Sequence, residues 1–373
     1  MRVAHITMHY IPIVGGQEVY IKNLINLLKE NGIYSDIYQP INKNYHYFTK
    51  NKHKNVKLVL NLPFIGRIIP NINKYLFNFF LIFHLFSFFK YDKIIIHYAF
   101  YSLPFWFFKK RVIILSHGLE WYLENKSLYD RISHFIAKIT FNRFKIVAND
   151  THYFRVLGLS IKPKEKYFKE LSANKWFIPN CVDINYFKPS KPFLDLMNKN
   201  IILVPRQITW DRGIHLAIES FYLFNMEAND FIMLISGEIR SINYKKFCDE
   251  LIRKYRLEDK IIWKHKVINE QMVQYYSSSK ITLIPTIRRE GTSLSALESM
   301  ACGCPVVSTN VAGLADLPTV QAQPDAKSLS TKLIELLDNY YQIKQEQLEF
   351  TRKVFNMENW KEAWLKVILR KNS

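Results

Sequence analysis

The sequence predicts an α/β protein built from two doubly wound domains, and two observations carry that expectation. Short β-branched runs alternate with helix-length segments along the chain, the pattern of parallel sheets covered on both faces by helices. The strand candidates, Arg2–Met8, Val56–Leu60, Lys93–His97, Val112–Ser116, Lys145–Ala148, Ile201–Pro205, Phe231–Ser236, Lys260–Lys264, Ile281–Pro285 and Pro305–Ser308, exceed one comfortable sheet.

Taken in order, the first strand leads into Glu18–Asn31, where Val19, Leu24, Ile25, Leu27 and Leu28 form one apolar face of a helix. The longest apolar run, Tyr75–Phe89, has 15 residues and contains Asn78, His84 and Ser87, whereas a membrane span needs about 20. It reads as a helix buried between the sheet and its neighbours. The alternative is an aromatic surface that dips into a lipid interface beside the basic stretch around it. The N-terminal MRVAHITMHYIPIVGG has one Arg, a polar interruption at His5 and no small-residue cleavage site, so no signal peptide is expected.

A boundary is expected in the Pro-containing stretch 179–192. This gives a first domain over residues 1–185, a second over 186–354 and a terminal segment over 355–373. Within Phe355–Leu369, Trp360, Trp364, Val367 and Ile368 recur at helical spacing, predicting a packed terminal helix. No internal repeat points to a solenoid or propeller.

At 373 residues and 49% hydrophobic, the chain can bury large cores, which excludes disorder and a disulfide-stapled miniature scaffold. Four unevenly spaced cysteines imply a reducing compartment. The net charge of +20 admits a nucleic-acid binder, a membrane-surface protein or an enzyme for anionic substrates. Residues 1–190 carry 27 Lys and Arg against 11 Asp and Glu, leaving 25 against 21 for the rest. From Ile37 to Tyr91 there is no acid, while Lys43, Lys50, Lys52, Lys54, Lys57, Arg67, Lys74 and Lys90 are basic. The asymmetry suggests domains with different partners.

The first strand runs into Gly15 and Gly16, just before a helix, where backbone N–H groups and the helix dipole can approach an anion. A plain tight turn explains the pair equally well. In the second half, a strand ending at Pro285 is followed by a loop, a helix over about 293–301 and another strand. Gly291, Thr292, Ser293 and Leu294 then lie at the helix N-terminus, above the carboxyl edge where open α/β sheets bind ligands. A phosphate there would set Glu290 near one end of a nucleotide-sugar and Glu298 near a ribose. On spacing alone, Glu290 complementing the helix N-terminus and Glu298 being solvated remain open. Arg206 ends one strand and Arg212, before Gly213, opens the next helix. Two guanidinium groups there would stabilise a departing pyrophosphate without a metal.

These residues give the chain a resemblance, across essentially its full length, to the family 4 glycosyltransferases, retaining enzymes of the GT-B fold. That fold implies two Rossmann-like domains facing a central cleft, the acceptor-side one over residues 1–185 and the nucleotide-sugar donor-binding one over 186–354, with a C-terminal helix within 355–373 packing back toward the first. The resemblance is carried by particular stretches of the chain. It rests on GGQE at Gly15–Glu18, SHG at Ser116–Gly118, IPNCVD at Ile178–Asp183, Arg206 with Arg212-Gly213, and EGTSLSALESMACGCPVV from Glu290 to Val307. The resemblance implies that Gly15 and Gly16 approach the donor phosphate, that His117 contacts the transferred sugar, and that Arg206 and Arg212 bind the diphosphate with Gly213 beside them in the donor site. It implies that Glu290 holds sugar hydroxyls, that Gly291 to Leu294 offer N–H groups, that Glu298 holds the ribose and that Val267 flanks the base. It also implies no metal and no cofactor, in line with the lack of an Asp-x-Asp motif.

The departures are Arg212 where Lys is usual, Cys181 where Gly is usual, and AGLAD, with Ala312, Gly313 and Asp316, where Gly-Gly-x-x-Glu is usual. Cys302 and Cys304 read as buried thiols, Asn149-Asp150-Thr151 as a helix N-cap, and Glu120 as the only acid near His117. The expected activity is retaining transfer of a hexose-type sugar from a nucleoside diphosphate sugar to a glycan or lipid-linked acceptor, in cell-envelope polysaccharide or lipopolysaccharide synthesis. The expected place is the cytoplasm, peripheral at an anionic membrane surface through residues 43–111. The rivals are a nucleotide-sugar epimerase of the same fold and a basic nucleic-acid-binding protein; a nucleic-acid partner is not expected.

Overall fold

The structure is a computed structural model and describes residues 1–11, 15–41, 54–60, 71–124, 127–164, 166–264, 267 and 269–370. The first sheet comprises β1 (Arg2–Ile6), β2 (Tyr34–Pro40), β3 (Val56–Val59), β4 (Lys93–His97), β5 (Val112–Ser116), β6 (Lys145–Ala148), β7 (Lys169–Ser172) and β8 (Lys175–Phe177). Their spatial order is β3-β2-β1-β4-β5-β6-β8-β7, parallel except for the antiparallel β7–β8 pair. Alternate residues serve opposite cores. Val3, Ile95, Ile113, Leu115 and Val147 pack with the helix Gly16–Glu30, while Ala4, Ile6, Ile94, Ile96 and Ile114 pack on the other face. Burial on both faces is why these strands read as continuous apolar runs.

The second sheet comprises β9 (Asn200–Pro205), β10 (Phe231–Ser236), β11 (Ile261–Lys264), β12 (Ile281–Ile284), β13 (Val306–Thr309) and β14 (Val320–Ala322), all parallel, in the order β11-β10-β9-β12-β13-β14. In both sheets the strand order reverses beside the first strand, between β1 and β4 and between β9 and β12. The crevice outside the carboxyl ends at such a reversal is where doubly wound sheets take ligands.

The terminal helix Met357–Leu369 leaves the second domain and buries Trp360, Ala363, Trp364, Val367 and Ile368 in the first-domain core beside Val3, Tyr20 and Leu24. Trp364 Nε1 donates to Tyr20 Oη at 2.8 Å, and Lys145 Nζ donates to the Val367 carbonyl at 3.2 Å. Cys181, the departure from Gly, is buried against this helix, with Sγ 3.1 Å from Met357 Sδ.

Two expectations need correction. Strand β2, YSDIYQP, escapes the strand list because Ser35, Asp36 and Gln39 are polar; they are nevertheless buried, and Asp36 accepts a hydrogen bond from Tyr91 Oη at 2.5 Å. The aromatic run is not a buried helix. It belongs to a 19-residue helical stretch, Ile72–Lys90, long and apolar enough by length and composition to cross a membrane. Within it Phe77, Leu81 and Phe88 are buried, whereas Phe79, Phe83, Phe86 and Phe89 are exposed. The sheet accepts one stripe of a helix, and aromatic residues surround this one, so the surplus faces outward. Phe107, in the neighbouring 3-10 segment Ala99–Phe108, is 92% exposed. Of the basic stretch, Lys43, Lys50, Lys52 and Arg67 lie outside the described residues.

Candidate active site

Where β9 ends, Arg206 is buried and donates through Nη2 to Thr286 Oγ1 at 2.6 Å and to Glu290 Oε2, with Nη1 3.5 Å from Ser293 Oγ. Arg212 donates through Nη1 to the same Glu290 oxygen. Burial alone would raise the Glu290 pKa, but the two guanidinium groups outweigh it and hold the carboxyl below its ordinary value. Two cations on one carboxylate leave a surplus positive charge, an electrostatic fit for an anionic ligand. Gly213 has φ 69°, and a Cβ there would strike the Pro285 carbonyl oxygen. Its N–H is spent on Trp210, so this glycine is required by close packing behind the arginines.

The helix after β12 begins at Leu294, later than the expected start, with Ser293 as N-cap. The Ser293 side chain makes no capping bond, leaving first-turn N–H groups for a ligand. Gly291 and Thr292 precede the helix, and Thr292 is already committed. Its hydroxyl donates to the Asn149 carbonyl and accepts from Asn180 N–H at 3.2 Å, and its carbonyl accepts from Asn180 Nδ2. Thr292 therefore clasps the two domains. Glu298, open to a solvated reading in the sequence, accepts from Tyr276 Oη at 2.9 Å, and burial pushes its pKa up to about 7. Val267 packs against the cluster containing Leu234, Met272 and Tyr276, the partner of Glu298.

The first domain meets this block directly. A Cβ built on Gly16 would lie 3.2 Å from Leu294 Cδ1, and one on Gly118, at φ 112°, would lie 3.5 Å from Gly291 N. The Gly15-Gly16 turn and the His117-Gly118 loop thus abut the helix start and the Glu290-Gly291 loop. Gly15 N–H donates to Glu18 Oε2 at 2.8 Å, so its donor is internally satisfied. At the rim, Tyr122 Oη donates to Asp211 Oδ2 at 3.3 Å beneath the Arg289 guanidinium, 3.7 Å from the Tyr122 ring centre.

His117 is half-buried, edge-on to Tyr20, and its Nε2 lies 3.0 Å from His97 Nδ1. His97 Nε2 in turn lies 3.3 Å from His5 Nδ1. Burial lowers the pKa of all three, to about 3 for His5 and His117. Sequence reasoning missed His5 and His97; the available signal was one histidine inside each of two otherwise apolar strands. Glu120 is not free beside them, since its oxygens accept from Ala99 N–H (2.5 Å) and Phe100 N–H (3.4 Å), and burial lifts its pKa to about 8.

Asp150 caps the helix Thr151–Val156, accepting from Tyr153 N–H at 2.7 Å. Asp316 of AGLAD accepts from Thr151 N–H (2.8 Å) and Oγ1 (2.5 Å), and Gly313 N–H donates to the Glu290 carbonyl at 2.9 Å. This departing motif therefore ties Glu290 to the first domain. Cys302 and Cys304 are buried free thiols.

Comparison with known proteins agrees with this geometry. Residues 188–353 match the family model "Glycosyl transferases group 1". The capsular polysaccharide biosynthesis glycosyltransferase CapM of Staphylococcus aureus is 24% identical over 159 residues, covering 41% of this chain and 40% of that protein. The two-domain fold is shared with sucrose-phosphate synthase from Thermosynechococcus elongatus (TM-score 0.75, 17% identity, 98% of both chains). It is shared with Anabaena HepE solved with UDP (TM-score 0.76, 14% identity, 99% of this chain and 100% of that one). A TarM mutant of S. aureus, solved with Fondaparinux, α-GlcNAc-glycerol and UDP, is also similar (TM-score 0.71, 13% identity, 99% and 100%). The architecture is GT-B, and the chain is similar through residues 188–353 to the glycosyl transferases group 1.

Proposed function

We propose that this protein is a retaining, metal-independent glycosyltransferase that moves a hexose-type unit from a nucleoside diphosphate sugar to a glycan or lipid-linked acceptor in cell-envelope polysaccharide synthesis. The observation that carries the reading is the Arg206–Glu290–Arg212 cluster at the reversal of the second sheet, facing His117 and the Gly15-Gly16 turn. The guanidinium groups and the open helix start supply positive charge where a diphosphate leaving group accumulates negative charge. Glu290, released by the arriving phosphates, accepts from sugar hydroxyls, and Glu298 accepts from the ribose. The UDP bound to HepE and the capsular role of CapM support the donor class and the pathway class. Incubation with a panel of UDP-, GDP- and ADP-hexoses and envelope glycolipid extracts tests it. Transfer with retained anomeric configuration, unaffected by EDTA and lost in Arg206→Ala, is expected; product from donor alone would favour an epimerase.

The exposed Phe79, Phe83, Phe86 and Phe107, with Lys90 and Lys109 close by in sequence, support a seat on an anionic bilayer at the inner face of the cell membrane. An acceptor anchored in that bilayer then reaches the cleft by lateral diffusion.

A further inference from the structure

The three histidines form a staircase across the first sheet. His5 sits on β1, His97 ends β4 and His117 follows β5, three adjacent strands. His5 pairs in register with Ile95 and His97 with Leu115, so each step moves one strand across and two residues toward the carboxyl edge, on the same face. His97 and His117 are stacked at 5.3 Å with ring planes 5° apart. His5 and His97 are fully buried.

Each link in this chain has room for one proton. A cation on His97 would donate on both links, forcing the His5 proton onto its partnerless Nε2 and leaving a charge in a fully buried site, so the rings are neutral and their tautomers are coupled. Two states satisfy both links. In one, protons point toward His5 and its Nε2–H stands unpaired in the core; in the other, Nε2 is bare and His5 donates from Nδ1. His5 Nε2 is buried without a partner, and a buried unpaired N–H is the rarer outcome. The same dead end excludes a proton wire, since a proton reaching His5 has no acceptor beyond it.

We infer that His5 and His97 are positioning residues that fix His117 as a neutral imidazole carrying its proton on Nδ1, the nitrogen not engaged by His97. His117 then presents a permanent N–H donor rather than an acceptor or a cation. It suits a sugar hydroxyl or ring-substituent oxygen, and discriminates against a ligand that must donate there. The consequence for catalysis rests on the glycosyltransferase reading; the tautomer does not.

The test is NMR of the full chain labelled with 15N-histidine, with the His117 signals identified by their loss in His117→Gln. Wild type is expected to show Nδ1–H and bare Nε2 on His117 from pH 6 to 8. His97→Leu is expected to convert His117 toward Nε2–H and to lower kcat by about 10- to 100-fold. In His97→Asn the side-chain amide replaces Nδ1–H, which restores both the tautomer and most of kcat. Should His97→Leu not fold, His5→Leu, which frees the far end of the chain, is expected to give mixed tautomers on His117. Nε2–H on His117 in wild type, or an unchanged tautomer in the folded Leu variants, overturns the inference whether or not sugar transfer is detected. A changed tautomer with unchanged kcat overturns the catalytic consequence alone.

Discussion

Arg206 donates through Nη2 to Oε2 of Glu290, 84 positions later in the chain, and Arg212 converges on that same oxygen. The carboxylate occupies the place that the proposed diphosphate would take between the two cations. Removing it in Glu290→Ala leaves two guanidinium groups without a counter-charge, at a cost of about 3–5 kcal/mol for a broken buried pair. UDP should then raise the thermal midpoint of Glu290→Ala by more than that of wild type, while turnover is lost. Equal or smaller shifts by differential scanning fluorimetry would show that the arginines do not meet the diphosphate.

Gly313 lies against the Gly291 backbone, where a Cβ would collide, and its N–H holds the Glu290 carbonyl. Gly313→Ala should push the Glu290 loop out of place, lowering stability by about 1–3 kcal/mol and weakening UDP binding at least tenfold. Urea unfolding and calorimetric titration measure the two effects, and unaltered UDP affinity would remove the loop from the donor site.

His5 is held neutral by burial, with its pKa pushed from 6.5 to about 3. Between these values the unfolded chain binds the extra proton, so stability falls as pH drops below 6.5 and is level above it. Relative to His5→Asn, wild type should lose about 1.4 kcal/mol per pH unit between pH 6 and 4. Glu120, Glu298 and Asp150 have raised pKa values and act in the opposite direction, but they are common to both proteins and cancel. Parallel stability profiles would contradict a neutral, buried His5.

Phe83, Phe86 and Phe107 are 70%, 90% and 92% exposed. Their joint replacement by Ser should abolish flotation with phosphatidylglycerol vesicles at low salt and leave UDP binding intact. Flotation equal to wild type would move the membrane contact elsewhere.

Much of the fold was legible because apolar strands buried on both faces leave an unmistakable pattern; β4, β5, β6 and β10 coincide with their sequence ranges. Strand β2 was hidden because its polar residues find buried partners that only the sheet supplies. The Glu290–Val307 block marked one wall of the site, since its loop and helix are contiguous in sequence. Thr292, Gly213 and Gly15 read as donor contacts from position alone, and packing gives each a further task that position does not reveal: a domain clasp, a close approach and an internal cap.

What the sequence determined by itself is two doubly wound domains, a second half carrying the Glu290–Val307 block and a basic, aromatic first half, because these follow from local periodicity, contiguous motifs and composition. What only the tertiary structure decided is the meeting of Arg206 and Arg212 on one oxygen, the three-histidine staircase and the outward face of the aromatic helix. Each depends on strand order and on which side of an element remains uncovered, and neither property is written in any local stretch of the chain.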